Sequence, residues 1–478
     1  MRLLEMSARS LVLALMASAA LGGCTLAPRY ERPVLPVGQA WPVTADTAAS
    51  AVPGADLAWR DVFQDPRLQS VIALALEQNR DLRVAVANIA QARAQYRIQR
   101  ADLLPAIDAA AAGTRTRTPG SVSQTGRSDV TDQYSVNAGF SAYELDLFGR
   151  VRSLSAAALQ SYLATEENRR TVQISLIAET ASAYLTLAAD QDLLAITQET
   201  LASREAGLDL ARKRFEAGAT SELDLHQAQT LAEQARSDAA TATAQVDRDR
   251  NALRLLVGAE VPADLLPQGG LTEVGVLADI SPGLPSDVLA RRPDVLAAEH
   301  TLQAQNANIG AARAAFFPRI SLTGSAGTIS PELGDLFGGG TRTWTFAPQV
   351  VLPIFSGGAN IAGLRSAEAS RDAAVAQYEK AVQTAFREVA DALATRATIA
   401  DRVSAQDRLV EAAVAAQRLT QARYERGVDS YLSLLDAQRT LYAARQTQLA
   451  AQLDQAANRV ELYRALGGGA QNGARPSD

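Results

Sequence analysis

Cysteine is almost missing from this 478-residue chain: Cys24 is the only one, and histidine occurs only at 226 and 300. One thiol cannot close an internal disulfide, and it cannot build a thiolate zinc site. Aromatic residues are scarce at 5%, which leaves a wide globular core without its bulkiest fillers. Lysine occurs only at 213 and 380, so the cations are nearly all arginine. The formal charge is −6 and no basic block interrupts it, so the charge excludes a nucleic-acid binder. No apolar run reaches the roughly 18 residues of a membrane-spanning helix. The longest, Leu11 to Gly23, is short and sits at the start. Membrane contact is left to a lipid, a surface helix or a β-barrel.

Alanine, by contrast, fills 95 positions. It loses no side-chain entropy in a helix, and narrow helix-on-helix seams suit it. The N-terminus reads as an address. Arg2 and Arg9 precede the apolar stretch Leu11–Ala20, the pattern of a secretory leader over 1–23. Leu21-Gly22-Gly23-Cys24 then resembles a bacterial lipobox, which implies acylation (palmitate included) at Cys24. Thr25 is not the aspartate linked to inner-membrane retention, so the resemblance implies outer-membrane sorting. Residues 24–58 are rich in Pro, Ala, Thr and Ser and are expected to be an extended, lipidated tether.

The chain is internally repeated. Leu104-Pro105-Ala106-Ile107 matches Phe317-Pro318-Arg319-Ile320, and Phe215-Glu216-Ala217-Gly218 matches Tyr424-Glu425-Arg426-Gly427. Leu223-x-Leu225 matches Leu432-x-Leu434, and the offset stays between 207 and 213. Two copies are too few for a solenoid. The first repeat is expected over 59–284, with strands near 105–116 and 132–147, a long helix 151–215, a return helix 221–257 and a flanking segment 259–284. The second is expected over 285–468, with strands near 318–329 and 342–354, a long helix 359–424 and a return helix 430–466. A shorter helix opens each unit (79–104; 293–316), and 469–478 reads as a flexible tail. Leu435, Tyr442, Leu449, Ala456 and Tyr463 recur every seven residues, a coiled-coil-like seam. A compact domain has no use for a helix of about 65 residues, about 100 Å long; a hollow cylinder has.

The strands alternate. Tyr134, Val136, Ala138, Phe140 and Ala142 are apolar, with Gln133, Ser135, Asn137, Gly139 and Ser141 between them. Ile320, Leu322, Gly324 and Ala326 alternate with serine, threonine and glycine, and Trp344, Phe346, Pro348, Val350 and Leu352 repeat the pattern. Such runs match tilted strands crossing a bilayer. Four strands cannot close a barrel, and an open edge is forbidden in lipid. The barrel must be shared with copies of the chain, and a conducting one needs at least a trimer.

At this point the residues resemble a family, the TolC-type outer-membrane efflux factors, in particular the lipid-anchored OprM-like (NodT-type) subgroup. The carriers are Tyr143-Glu144-Leu145-Asp146-Leu147-Phe148-Gly149-Arg150, Leu284-Pro285-Ser286-Asp287 with Arg291-Arg292-Pro293-Asp294, Phe316-Phe317-Pro318-Arg319-Ile320, Tyr424-x-x-Gly427 and Leu432-x-x-Leu435-Asp436-Ala437-Gln438. The resemblance implies a mainly α fold with a β-barrel part: a homotrimer with a twelve-stranded barrel and a periplasmic helical tunnel. It implies a belt from about 59–78, 259–284 and the C-terminal tail. It implies a passive multidrug efflux duct without enzymatic chemistry or cofactor, docked on a periplasmic adaptor and an inner-membrane pump, proton-driven rather than ATP-driven.

Gly218 and Gly427 suit left-handed positions after the long helices, and Ser221 and Ser430 suit N-caps of the returning ones. By resemblance these tips meet the adaptor through Gly218, Ser221, Leu223, Leu225, Gly427, Ser430, Leu432 and Leu434. Leu432, Asp436 and Arg439 fall on one helix face. Read alone, they are a surface ion pair with a seam leucine. By resemblance they line a closed periplasmic aperture, which Asp224 and Tyr424 help to hold shut. Asp429 stands where TolC has an arginine, so that particular tie does not carry over. Two other readings stay open on the residues: a duct for ATP-driven protein or peptide secretion, and a structural envelope lipoprotein without a pore. A structural rod has no need of four amphipathic strands. An enzyme is disfavoured because His226 and His300 lack partners at ligand spacing and Gly338-Gly339-Gly340 lacks the lysine of a phosphate loop.

Overall fold

The computed structural model describes residues 25–42, 58–123, 126–274 and 285–468. The leader, Cys24, residues 43–57 of the expected tether, residues 275–284 of the expected belt and the tail 469–478 lie outside the described residues. In chain order the helices and strands are α1 Trp59–Val62, α2 Pro66–Gln78, α3 Arg80–Ala101, β1 Asp108–Thr118, β2 Asp129–Leu145, α4 Arg150–Glu216, α5 Glu222–Val257, α6 Pro285–Arg291, α7 Pro293–Ala314, β3 Arg319–Ser330, β4 Arg342–Val351, α8 Ala359–Glu425 and α9 Tyr431–Ala465. The repeat is visible in the lengths: α3 and α7 have 22 residues each, α4 and α8 have 67 each, and α5 and α9 have 36 and 35. α3 and α7 end two to three residues before the expected boundaries. There the amides of Leu103, Leu104, Phe316 and Phe317 reach back three residues instead of four, tightening the last turn before each strand.

The chain divides into two compact units. One holds residues up to 34, 88–165 and 297–378; the other holds 35–87, 166–296 and 379–478. Neither coincides with a repeat. Each takes corresponding parts of both, and the cuts fall inside α3, α4, α7 and α8.

The first unit contains one antiparallel sheet in the order β1-β2-β3-β4. Its register assembles two continuous faces. Tyr134, Val136, Ala138 and Phe140 on β2 lie opposite Thr328, Ala326 and Gly324 on β3 (with Ser330 opposite Tyr134), and these in turn lie opposite Trp344 and Phe346 on β4. Serine, threonine, asparagine and glutamine dominate the other face. The alternation breaks at one point. Ser141 and Ala142 both face Thr323, because the register shifts between Phe140 and Tyr143. Ala142 takes φ 53°, and its amide donates to Thr323 Oγ1 at 3.1 Å. This β-bulge corrects the expectation that Ala142 continues the apolar face. Tyr143 and Leu145 continue it, opposite Leu322 and Ile320. Pro348 lies on β4, at the edge of the sheet within one chain.

The second unit has the main apolar core. Val62, Phe63, Leu68, Val71, Ile72 and Ala75 from α1 and α2 are completely buried, packed with Tyr184 and Leu187 of α4, Leu253 of α5, Val389 of α8 and Tyr463 of α9. Both repeats therefore share one core. Asp65 starts α2 by accepting from the amides of Arg67 and Leu68, with Pro66 in the first turn. Asn79 joins α2 to the end of α5: its Oδ1 caps Leu82 N at 2.8 Å and its Nδ2 donates to Leu256 O at 2.7 Å. Gly258 ends α5 at φ 76°, and a Cβ there would stand 2.6 Å from Gln78 O. The described part of the expected belt is tied to α4 twice. Tyr184 donates to Leu265 O at 3.1 Å, and Asp192 accepts from Leu271 N at 2.8 Å. α4 is the one described helix long and apolar enough to cross a membrane by composition, but 56% of the relevant window is buried in its own packing. That is how a core helix behaves.

An acid pair also joins α4 to α5. Asp249 Oδ1 accepts from Gln245 Nε2 at 2.8 Å, while its Oδ2 is buried without a donor as long as Asp190 is ionised. Burial, and then the hydrogen bond and charge of Asp249, push the Asp190 carboxyl up to about 6. A raised carboxyl pKa means the folded state holds the proton more tightly than the unfolded one. Its contribution to stability is present near pH 4 and is lost as pH rises through about 6. The thermal midpoint should therefore fall between pH 5 and 7 in the parent, by more than in Asp190→Asn. Equal slopes in a pH series of melting curves would refute this.

Candidate gate and hairpin tips

Both long hairpins turn by the same local rules. Gly218 adopts φ 70° and Gly427 φ 73°, conformations that cost an L-residue. Ala219 N reaches Arg214 O at 2.7 Å and Gly218 N reaches Phe215 O at 2.9 Å; Val428 N to Arg423 O and Gly427 N to Tyr424 O repeat the pair at 2.9 and 3.0 Å. Each is a Schellman motif that satisfies the last carbonyls of α4 or α8. The chain then re-enters a helix through a serine cap. Ser221 forms a capping box with Asp224: Asp224 N donates to Ser221 Oγ at 3.1 Å and Ser221 N donates to Asp224 Oδ2 at 3.3 Å. Thr220 Oγ1 adds a third contact to Asp224 Oδ2 at 2.7 Å. Partial burial works to raise the Asp224 carboxyl, but these hydrogen bonds outweigh it and hold it below the usual range. Ser430 caps α9 through Ser433 N at 3.3 Å.

The second turn carries a feature the first lacks. Arg423 Nε and Nη2 donate to Asp429 Oδ2 and Oδ1 at 2.8 and 2.9 Å, a bidentate pair spanning Gly427. The pair lowers the Asp429 carboxyl and raises Arg423. Asp429 therefore has a partner inside its own hairpin.

The hairpins also meet each other. The Arg214 guanidinium lies 4.7 Å from the centroid of Tyr424, and Tyr424 packs against Tyr431 with ring centroids 5.4 Å apart. Burial pushes the Tyr431 hydroxyl up to about 12. Along α4 and α9, Thr197 Oγ1 lies 3.3 Å from the phenolic oxygen of Tyr442, and Arg445 Nη1 reaches Glu199 Oε2 at 2.9 Å. Arg236 joins α5 to Glu205 of α4 at 2.8 Å, and Arg402 joins α8 to Asp454 of α9 at 2.5 Å. The ion pairs and hydrogen bonds thus link α5 to α4, α4 to α9 and α9 to α8.

The sequence-derived residues separate on this scaffold. Leu432, Asp436 and Arg439 are all exposed on α9, with Leu432 at 59% and Leu223 at 65%. Asp436 and Arg439 do not pair with each other or with any described residue, which corrects the simple surface ion pair. Tyr424 is buried, and Leu225 and Asp224 are half-buried. Leu434 is only 3% exposed. Its side chain is therefore not offered to a docking protein, and its place in the contact set is corrected. Sequence reasoning missed the Arg214–Tyr424 and Tyr424–Tyr431 contacts and the Arg423–Asp429 pair. Of these, only Arg423 and Asp429 had a usable signal, opposite charges on either side of a turn glycine. No described group of three or more His, Cys, Asp or Glu could hold a metal ion. His226 lies 3.7 Å from Glu222, and His300 Nδ1 lies 2.7 Å from Gln160 Oε1.

A sheet with one apolar and one polar face, joined to paired 67-residue helices with tight tips, defines the protomer of an outer-membrane channel. The Outer membrane efflux protein family matches residues 71–259 and 284–468, and the chain belongs to that family. It is 50% identical over 452 residues to the probable efflux pump outer membrane protein TtgC of Pseudomonas putida, covering 94% of this chain and 93% of that one. Outer membrane protein OprJ of Pseudomonas aeruginosa is 47% identical over 463 residues, covering 97% and 96%. Among solved structures, the open state of the Neisseria gonorrhoeae MtrE outer membrane channel superposes with a TM-score of 0.86 at 43% identity, covering 95% of this chain and all of that one. The family and these relatives are efflux and channel proteins rather than enzymes. The chain is an outer-membrane efflux channel protein.

Proposed function

We propose that the chain is one protomer of a passive homotrimeric duct. It receives small molecules from a periplasmic adaptor and a proton-driven inner-membrane pump, and releases them outside the cell. The observation that carries the reading is the sheet: four strands with an apolar face and two free edges, β1 and β4. Backbone donors at such edges must be paired inside a bilayer. Three copies supply the twelve strands of an open barrel. Acylation of Cys24 completes the attachment to the outer membrane, and the duct itself carries out no chemistry.

The gate follows from three-fold repetition. Leu432, Asp436 and Arg439 are exposed on one face of α9, and Asp436 and Arg439 have no polar partner among the described residues. Around an axis they form a leucine, a carboxylate and an arginine ring, the devices that constrict and select in pores. Asp224 and Tyr424 support the hairpins that carry them. The tips at Gly218, Ser221, Leu223, Leu225, Gly427, Ser430 and Leu432 meet the adaptor.

Asp436→Ala should raise single-channel conductance in planar bilayers about twofold or more and relieve block by multivalent cations. Unchanged conductance with unchanged block would remove the gate assignment. Cysteines placed at Ser221 and Ser430 should crosslink to an adaptor in whole cells, read by mass spectrometry; recovery of none would count against the tripartite reading.

A further inference from the structure

Residues 25–33 were expected to begin a loose tether. They are instead fastened along α7 from end to end. Arg313 Nη1 donates to Leu26 O at 3.3 Å, and Asn306 Nδ2 donates to Pro28 O at 2.7 Å. Glu299 receives Tyr30 OH at 3.0 Å, Arg32 Nε at 2.8 Å and Arg32 Nη2 at 2.6 Å. Thr25 Oγ1 lies 3.4 Å from Ser153 Oγ near the start of α4. Gly310 makes room for the crossing: a Cβ there would stand 2.7 Å from Ala27 N and 2.6 Å from Ser153 Oγ.

The geometry is consistent with a fully extended segment antiparallel to α7. Glu299, Asn306, Gly310 and Arg313 share one helix face. From Glu299 to Arg313 the helix rises about 21 Å; the six extended steps from Leu26 to Arg32 span about 20 Å. Glu299 is 5% exposed, and Arg32 is its only ion-pair partner among the described residues. Release of the segment would leave a buried carboxylate without its counter-charge, the costly case for a buried ion. Burial and Glu299 also raise the Tyr30 hydroxyl well above its ordinary range.

We propose that residues 25–33 are a docking strap, with Glu299 as its clasp, that locates the N-terminal end of the mature chain beside the start of α4. The lipid-locating part of this role rests on the acylation of Cys24 proposed above. Trp41 is held separately, stacked on Phe386 with ring centroids 5.0 Å apart, so, unfastened, the residues from 25 to 40 could carry the anchor anywhere within about 50 Å of that ring. Fastened, residue 25 sits at Ser153, eight residues past the end of β2. A lipid one residue further on then enters the bilayer next to the chain's own strands, and the anchor favours barrel insertion instead of merely retaining the chain at the membrane.

The test uses the full-length protein in outer membranes. With Thr25→Cys and Ser153→Cys, a disulfide should form spontaneously. Arg32→Ala, which leaves α7 untouched, and Glu299→Gln should each lower its yield by at least about fivefold, as expected for losing a charged hydrogen-bonded pair. Unchanged yield in both overturns the clasp. The second measurement is the fraction of chain in heat-resistant trimers. Arg32→Ala should lower it about threefold in the anchored chain and leave it nearly unchanged in a Cys24→Ser chain exported on a non-lipid leader. Equal losses in the two backgrounds would mean that the strap is packing alone, and would overturn the locating role. A mature N-terminus without an acyl group in the mass spectrum would overturn the lipid-locating role while leaving the crosslink result for docking intact.

Discussion

Arg292→Ala is expected to destabilise the second unit by about 3–5 kcal/mol, the cost of breaking a buried ion network by removing one partner. The Arg292 side chain is 7% exposed. It donates to Ala465 O at 2.6 Å, to both oxygens of Asp294 at 3.0 and 2.6 Å, and to Glu388 Oε2 at 2.8 Å. One guanidinium thus joins the start of α7, the middle of α8 and the end of α9. Burial alone would lower its proton affinity, but Asp294 and Glu388 outweigh that and keep it charged. Alanine leaves two carboxylates and a carbonyl short of donors, with Arg464 only 3.7 Å from Glu388 as partial relief. The thermal midpoint of detergent-solubilised protein should fall by many degrees, and Arg292→Lys should recover only part because it lacks the planar fork. A loss comparable with an exposed surface pair, under about 1 kcal/mol, would show that the network contributes little.

Arg292 also marks where the sequence was most legible. It belongs to Arg291-Arg292-Pro293-Asp294, one of the stretches that carried the family resemblance. The duplication, the two 67-residue helices, the serine caps and the glycine turns all rest on interactions within about six residues, so local sequence reports them. The sheet was legible through its alternation up to Phe140. Beyond it the bulge was hidden, because Ser141-Ala142 continues a polar–apolar rhythm that small residues satisfy on either face. Two other features gave no local signal. The strap's clasp joins Arg32 to Glu299, 267 residues on, from a segment whose Pro-rich composition gives no periodic signal. Leu434 is buried while its repeat mate Leu225 is only half-buried, a difference that the shared Leu-x-Leu motif does not show. The gate residues are legible in a different sense. Sequence places Leu432, Asp436 and Arg439 on one face, and all three are exposed, Asp436 and Arg439 without a polar partner among the described residues.

Gly327→Val is expected to abolish the assembled channel. Gly327 lies opposite Asn137, and Gly139 lies opposite Ser325, on the polar face of the sheet. A Cβ on Gly327 would run into Val136 O and stand 2.6 Å from Asn137 Cα; one on Gly139 would run into Gly324 O and stand 2.6 Å from Ser325 Cα. In both cases the obstacle is backbone of the neighbouring strand, which cannot retreat without breaking the β2–β3 ladder. Neither glycine has a positive φ, so the requirement is close approach rather than an unusual backbone conformation. Overpacking of a tight site costs about 1–3 kcal/mol. In the proposed trimer that cost recurs in each copy, and a shifted ladder also displaces the edges that must pair between copies. Heat-resistant trimers on gels should vanish for Gly327→Val, while Thr343→Val, a β-branched change on the same face of edge strand β4, should leave them intact. Trimers of Gly327→Val at parent levels would mean that β2 and β3 can move apart, and that the two glycines do not set the spacing of the wall.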